Sequence, residues 1–298
     1  MHDVLTNLPQ AYVQCLDKGL VGLVDVMPRL VPEDQKTADY AIVQAARVSY
    51  GAGTKTVNED RGLIRYLMRH SHTTPFEMVE FKFHCKMPIF VARQWIRHRT
   101  ANVNEVSGRY SILKDEFYLP EADNIRQQSK SNKQGGDQKI ELTTAQGFLD
   151  YLGELADSTY AKYLDAIEAG VTREQARMIL PVNLYTEWYW KIDLHNLFHF
   201  LALRCDAHAQ WEIRTFADAM LRLIAPIVPW AVEAWDDYHP MRSAVKLTRL
   251  EIDALQTYIA RGKETVMYSH APKLKTDNKR EQVEWVDKAR RFGLEVEQ

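Results

Sequence analysis

From Val79 to Met87 the chain reads VEFKFHCKM, with Val79, Phe81, Phe83, Cys85 and Met87 separated by polar residues. Side chains alternate across a strand, so this pattern predicts a strand half-buried against a core. The next residues, MPIFVARQWI, form an apolar segment of helical character, with Pro88 suited to a first turn. A strand that feeds straight into a helix, and a helix that ends in Arg97, His98 and Arg99, ties cationic heads to the end of a buried element. On a continued helix Arg93 and Arg97 share a face, and Gln94 shares one with Arg97 and His98.

The run that follows completes RHRTANVNEVSGRY, Arg97 to Tyr110, and sets Arg97, His98, Arg99 and Arg109 among Asn102, Asn104, Glu105 and Ser107. Basic clusters are usually solvated surface, but these basic residues close an apolar segment. Guanidinium groups make paired, charge-assisted hydrogen bonds to phosphate, and amide, hydroxyl and carboxylate groups beside them can orient a polar ring. An anionic ligand is expected here, most naturally a nucleotide.

A chain of 298 residues with 46% hydrophobic content is long enough for one large domain or two small ones. Its formal net charge of −2 argues against a protein that tracks a nucleic-acid backbone, so the positive charge is local. The N-terminal residues lack a basic leader with an apolar core, and no stretch approaches the ~20 apolar residues of a membrane span, so a cytoplasmic location is expected. Cys15, Cys85 and Cys205 are widely spaced, without a C-x-x-C pair, and read as small core residues in a reducing compartment.

Elsewhere, Leu20 to Met27 reads as a buried strand, and Thr37 to Ser49 and Asp60 to His70 as helices. The stretch 123–139 is polar, holds Gly135-Gly136 and lacks periodicity, which predicts an exposed loop. Thr144 to Ala169 reads as a helix ended by Gly170. Thr172 and Gln175 are spaced as a capping box for a short helix containing Arg177, and Asp193 is placed to cap LHNLFHFLALR. Trp211 to Pro226 is amphipathic, and beyond about Tyr238 the chain turns charged, with a helix over Ala244 to Ile259 and a polar tail. The expected division is a domain over 1–240 and a charged extension over 241–298.

The run RHRTANVNEVSGRY resembles the signature of the flavin-dependent thymidylate synthases, the ThyX family: R-H-R, two variable residues, Ser, one variable, Asn, two variable, Ser, one variable, Arg-Tyr. It matches at Arg97, His98, Arg99, Asn104, Ser107, Arg109 and Tyr110, and departs at Asn102, where the pattern has Ser. LDKGLVGLVDVM, AARVS (Ala45 to Ser49), HSHTTPFE (His70 to Glu77), ARMILPVNLY (Ala176 to Tyr185) and LALRCDAHAQWEI (Leu201 to Ile213) are similar to further family blocks in family order.

The resemblance implies an α+β fold with an antiparallel-type sheet flanked by helices. No G-x-G-x-x-G precedes a helix, so this is not a Rossmann fold. It implies a homotetramer with shared active sites, and reductive methylation of dUMP to dTMP with FAD as bound cofactor. NADPH and 5,10-methylenetetrahydrofolate are the implied co-substrates, and tetrahydrofolate is released. It assigns dUMP binding to Gln94, Trp95, Ile96, Arg97, Glu105, Val106, Ser107, Gly108, Arg109, Arg177 and Arg204, with Arg204 also polarising the uracil ring. For FAD it implies Ser49, His72, Thr74, Glu77, Arg97, His98, Arg99, Glu105, Asp193, Leu194, His195 and His199. Asp193, His195 and His199 stand where other members carry Asn, Arg and Asn.

The chemistry suits these residue types. Methylating carbon 5 of uracil needs an electron-rich ring, and a guanidinium at its carbonyl edge stabilises the charge that develops. None of the cysteines sits in the motif of the thymidylate synthases that add a thiolate to the ring. His195 and His199, four apart, could in principle hold zinc, but Asn196 stands where H-E-x-x-H has its general base, and His208 or Asp206 make poor third ligands. No metal is expected. A metal-dependent nucleotide hydrolase and a non-catalytic nucleotide- or RNA-binding module are the rival classes.

Overall fold

The computed structural model describes residues 1–48, 57–129, 135–240, 242, 244–262 and 279–292. Its strands are β1 (His2–Asp3), β2 (Tyr12–Cys15), β3 (Gly19–Met27), β4 (Leu30–Val31), β5 (Glu80–Pro88), β6 (Asn102–Glu105), β7 (Arg126–Gln128), β8 (Gly136–Lys139) and β9 (Tyr185–Asp193). Its helices are α1 (Asp39–Val48), α2 (Val57–Arg69), α3 (Ile89–Trp95), α4 (Leu142–Glu168), α5 (Arg173–Ala176), α6 (Leu194–Arg204), α7 (Trp211–Ile224), α8 (Pro229–Tyr238), α9 (Arg249–Gly262) and α10 (Lys279–Arg291).

β5 is the centre of a five-stranded sheet of order β2-β3-β5-β9-β6, antiparallel at every pairing. The α+β reading holds. The alternation of β5 has its cause in this place: both edges are paired, one face meets the core and the other does not. Phe81, Phe83, Cys85 and Met87 are each 0% exposed, and Trp188, Trp190 and Ile192 of β9 are buried on the same face. The opposite face carries Lys82, His84, Lys86, Glu187 and Tyr189; His84 lies 2.7 Å from Glu187 and stacks on Tyr189.

Helices cover the apolar face. α7 lies against β2 and β3, α3 against β5 and α7, and α6 against β9 and α7. Trp95, at the end of α3, packs against Trp188, Trp190 and Phe200 with ring centroids 5.4, 5.3 and 5.0 Å away. Burial of such rings contributes about 1.5–3 kcal/mol each, so this cluster fixes where α3 ends and where the basic run begins.

Two helix ends are set by particular residues. Asp39 is buried and caps α8 across the chain, accepting hydrogen bonds from the Trp230 and Ala231 amides at 2.9 and 3.0 Å; burial nevertheless pushes its carboxyl up to about 7. Helix α2 closes with Ser71 at φ 56°, the Ser71 amide bonding Met68 O and the His72 amide bonding Leu67 O. That is a Schellman ending in which a left-handed residue turns His72 away from the helix axis. Gly170, at φ 92°, ends the segment after α4 in the same way, as its sequence position suggested.

Three expectations need correction. The stretch 123–139 is not a plain loop: β7 and β8 pair antiparallel within it, and Ile140 closes onto Ile125. Backbone pairing forms this hairpin without an apolar face, so no periodicity marks it. Helix α3 stops at Trp95, with the His98 amide bonded to Trp95 O, so Gln94, Arg97 and His98 do not share a helical face. Thr172 occupies the N-cap position of α5 but makes no cap bond to the backbone; its hydroxyl donates to Gln175 Oε1 at 3.4 Å, and Arg177 falls just beyond the four-residue helix.

The chain divides into two compact units, Met1–Tyr238 and His239–Gln298. In the second, a helix spans Arg249–Gly262, starting later than the periodicity suggested, and the tail contains a second helix, α10. Trp285, Ala289 and Ala254 are buried together with Leu247, Leu250 and Leu255 against them, and Lys288 pairs with the buried Glu251 at 2.8 Å. The extension therefore has an apolar cluster of its own. Among the described residues no helix is long and apolar enough to cross a membrane.

Candidate active site

Two polar clusters form about β6, one on the segment that enters it and one on the loop that leaves it. The first is built on the last residues of α3 and α6. Asp193 caps α6, accepting from the Asn196 amide at 2.9 Å while its second oxygen takes the Asn196 side-chain amide at 2.7 Å. Leu194, Leu197 and Leu201 are 0% exposed and anchor the helix in the core, so its last turn presents Arg204 from a rigid base.

Arg204 Nε donates to His98 Nε2 at 3.2 Å. The His98 ring meets the edge of Phe200 at 4.9 Å and lies 5.6 Å from the His199 ring. Burial, then Arg204, then His199 lower the His98 pKa to about 4, so the ring is neutral at pH 7 and can accept this bond. Burial also lowers the Arg204 pKa, a sign that its charge is partly stripped of water.

The second cluster holds the loop after β6 against α5. Arg109 Nε lies 3.3 Å from Glu174 Oε1, Arg177 Nε donates to Glu174 O at 3.3 Å, and Arg173 donates to Tyr110 O at 2.9 Å. Ser107 Oγ accepts the Arg109 amide at 3.3 Å. Gly108 is buried, and a Cβ there would meet Leu113 at 2.9 Å and Arg177 Cδ at 3.3 Å. Glycine there leaves room for the Leu113 side chain and the Arg177 stem to lie close against the loop. Glu174 was not singled out in the sequence; the R-E-x-A-R spacing around it was the available signal.

The other expected residues divide by exposure. Arg97 and Arg99 are exposed and make no hydrogen bond or ion pair among the described residues, and Gln94 Oε1 is buried without a partner. A buried oxygen such as that of Gln94 is one that a ligand donor would satisfy. Glu105 accepts from Thr186 Oγ1 at 2.5 Å, and Ile96 and Val106 are exposed. His72 is exposed beside Tyr66 and His70, with Thr74 exposed and Glu77 half-buried in the single turn that follows. His195 is half-buried near the start of α6 and His199 exposed one turn on. Trp95 and Leu194 have fully buried side chains, so any ligand contact there runs through backbone. Ser49 lies outside the described residues.

Two of the three thiols are poorly placed for nucleophilic attack, while Cys205 is half-buried. Cys15 and Cys85 are buried; burial pushes the Cys15 thiol up to about 12 and raises that of Cys85 as well. Among the described residues no three His, Cys, Asp or Glu side chains are grouped to hold a metal ion.

Fold and clusters together define a class: an α+β protein that gathers arginines on the segments entering and leaving β6 and on the helices beside them, with only Arg109 of these paired to a carboxylate among the described residues. Residues 29–230 match the family described as Thymidylate synthase complementing protein. A flavin-dependent thymidylate synthase of Dictyostelium discoideum is 56% identical over 96% of this chain and 89% of its own. One of Thermus thermophilus is 56% identical over 82% and 84%. A UMP/dUMP methylase of Streptomyces cacaoi, solved with 5-Br dUMP, superposes with a TM-score of 0.65 at 32% identity, covering 78% of this chain and 100% of its own. The chain belongs to the flavin-dependent thymidylate synthase family.

Proposed function

We propose that the chain methylates dUMP reductively to dTMP, with 5,10-methylenetetrahydrofolate as one-carbon donor and NADPH-reduced FAD as hydride source, releasing tetrahydrofolate. The observation that carries the reading is Arg204: a partly desolvated guanidinium held by a neutral histidine and, among the described residues, by no carboxylate. A full, oriented positive charge in a low dielectric stabilises the negative charge that develops on a uracil ring under attack.

Arg109 and Arg177, held to one residue, suit the nucleotide phosphate. Gln94, Glu105 and Ser107, with the backbone from Trp95 to Arg97 and from Val106 to Arg109, suit the sugar and base. The donor set also fits a flavin dinucleotide: Arg97 and Arg99 are free for its phosphates, and His72, Thr74, Glu77, His98, Asp193, Leu194, His195 and His199 would line its place. Bound there, FAD supplies the hydride. The chain's own part is to orient the ring and exclude water.

Self-association as a homotetramer completes the reading. Tyr110, Met178 and Val182, neighbours in sequence of Arg109 and Arg177, are 74%, 78% and 61% exposed, as residues awaiting a second copy would be. Free thiols throughout suit the cytoplasm. The visible spectrum of the purified protein is the test. Flavin bands perturbed by added dUMP support the reading; a colourless protein that retains stoichiometric metal would replace it with the hydrolase.

A further inference from the structure

We propose that His98 is a positioning residue for Arg204: its neutral imidazole accepts the Arg204 Nε–H through Nε2 and orients the guanidinium while leaving its positive charge uncancelled. The inference rests on the reading of Arg204 as the ring-polarising cation, and it asks what holds that cation in place.

An arginine carries five N–H donors and no acceptor, and half-buried ones are ordinarily fixed by a carboxylate. Among the described residues Arg204 makes one polar contact, the 3.2 Å bond from Nε to His98, and no ion pair. Its four Nη hydrogens remain for a ligand. A carboxylate at the same point would anchor the side chain equally well but offset the field it exerts on a substrate. A neutral imidazole anchors it without that loss.

The surroundings keep the ring in the accepting form. Phe200 closes one side at 4.9 Å and His199 stands at 5.6 Å, both from α6, with Arg97 and Arg99 flanking His98 on its own segment and Arg204 opposite. Burial, Arg204 and His199 each disfavour a second proton on His98. With Nε2 accepting, the proton resides on Nδ1, so the geometry specifies one tautomer.

The first measurement needs neither flavin nor substrate. In the ¹⁵N-labelled apo-protein, His98 is expected as the Nδ1–H tautomer, and Arg204→Ala is expected to release it to a mixture and raise its pKa. An Nε2–H tautomer in the unmutated protein would overturn the proposal. The second is a double-mutant cycle on single-turnover dTMP formation at saturating dUMP and FAD. His98→Phe, which keeps a ring and loses the acceptor, is expected to slow the step about 10–100-fold. His98→Gln, which restores an acceptor, recovers part of the rate, whereas His98→Glu, which anchors and neutralises, does not.

In an Arg204→Ala background His98→Phe should add nothing. Effects that multiply, or a loss in His98→Phe wholly reversed by more FAD, would mean that His98 serves the cofactor and not Arg204. If the unmutated chain forms no dTMP, the functional reading falls, and the tautomer measurement still decides the pairing.

Discussion

At the scale of single residues, Arg204 and His98 decide more than the larger arginine inventory does. Arg204→Ala removes a charge that acts on the transition state more than on the bound substrate. Single-turnover dTMP formation should fall roughly 10²–10³-fold with dUMP affinity changed far less; a rate near that of the unmutated chain would remove Arg204 from the chemistry. His98 also links stability to pH. Its folded pKa, about 4, lies below the ordinary 6.5, so the unfolded chain binds the extra proton first, and the contribution is complete above about 6.5 and lost as pH falls toward 4. Thermal melts over that window should show a fall that is shallower in His98→Phe. An identical slope would place the acid sensitivity elsewhere.

Among the elements, legibility followed periodicity. β5, α6 and α7 were readable because one face of each meets the core, and the Asp193 cap and the Gly170 terminator because those residue types have local reasons to stand there. The β7–β8 hairpin was not, since backbone pairing forms it without an apolar face, and the end of α3 was not, since the tryptophan cluster sets it from across the core. The arginine run was visible as a motif. Which of its members would meet Glu174 or Arg204 depends on contacts between segments distant in sequence. Ser71 offers a test of local reasoning: it sits at φ 56° in a Schellman ending that favours glycine. Ser71→Gly should stabilise the protein by about 0.5–1 kcal/mol in denaturant titration, and no change or a loss would show that the serine hydroxyl compensates.

For the molecule as a whole, the polar clusters lie entirely in the unit Met1–Tyr238, which has its own core, while the C-terminal unit has a separate apolar cluster. A chain ended after Tyr238 is therefore expected to keep flavin and dUMP binding together with turnover. Loss of turnover in a truncated chain with native circular dichroism would give the C-terminal unit a part in the reaction. The match to the Dictyostelium discoideum relative runs over 96% of this chain, and that to the Thermus thermophilus relative over 82%, so most of what the two share lies in the larger unit.

The folate that leaves the enzyme distinguishes hydride supplied by reduced flavin from hydride supplied by the folate itself. Incubating the FAD-loaded protein anaerobically with dUMP, 5,10-methylenetetrahydrofolate and NADPH, and quantifying nucleotides and folates together, is the most direct measurement. A flavin-dependent synthase yields dTMP and tetrahydrofolate in equal amounts, with one NADPH oxidised per turnover. Dihydrofolate as the product, or dTMP formed without NADPH and FAD, would contradict that chemistry.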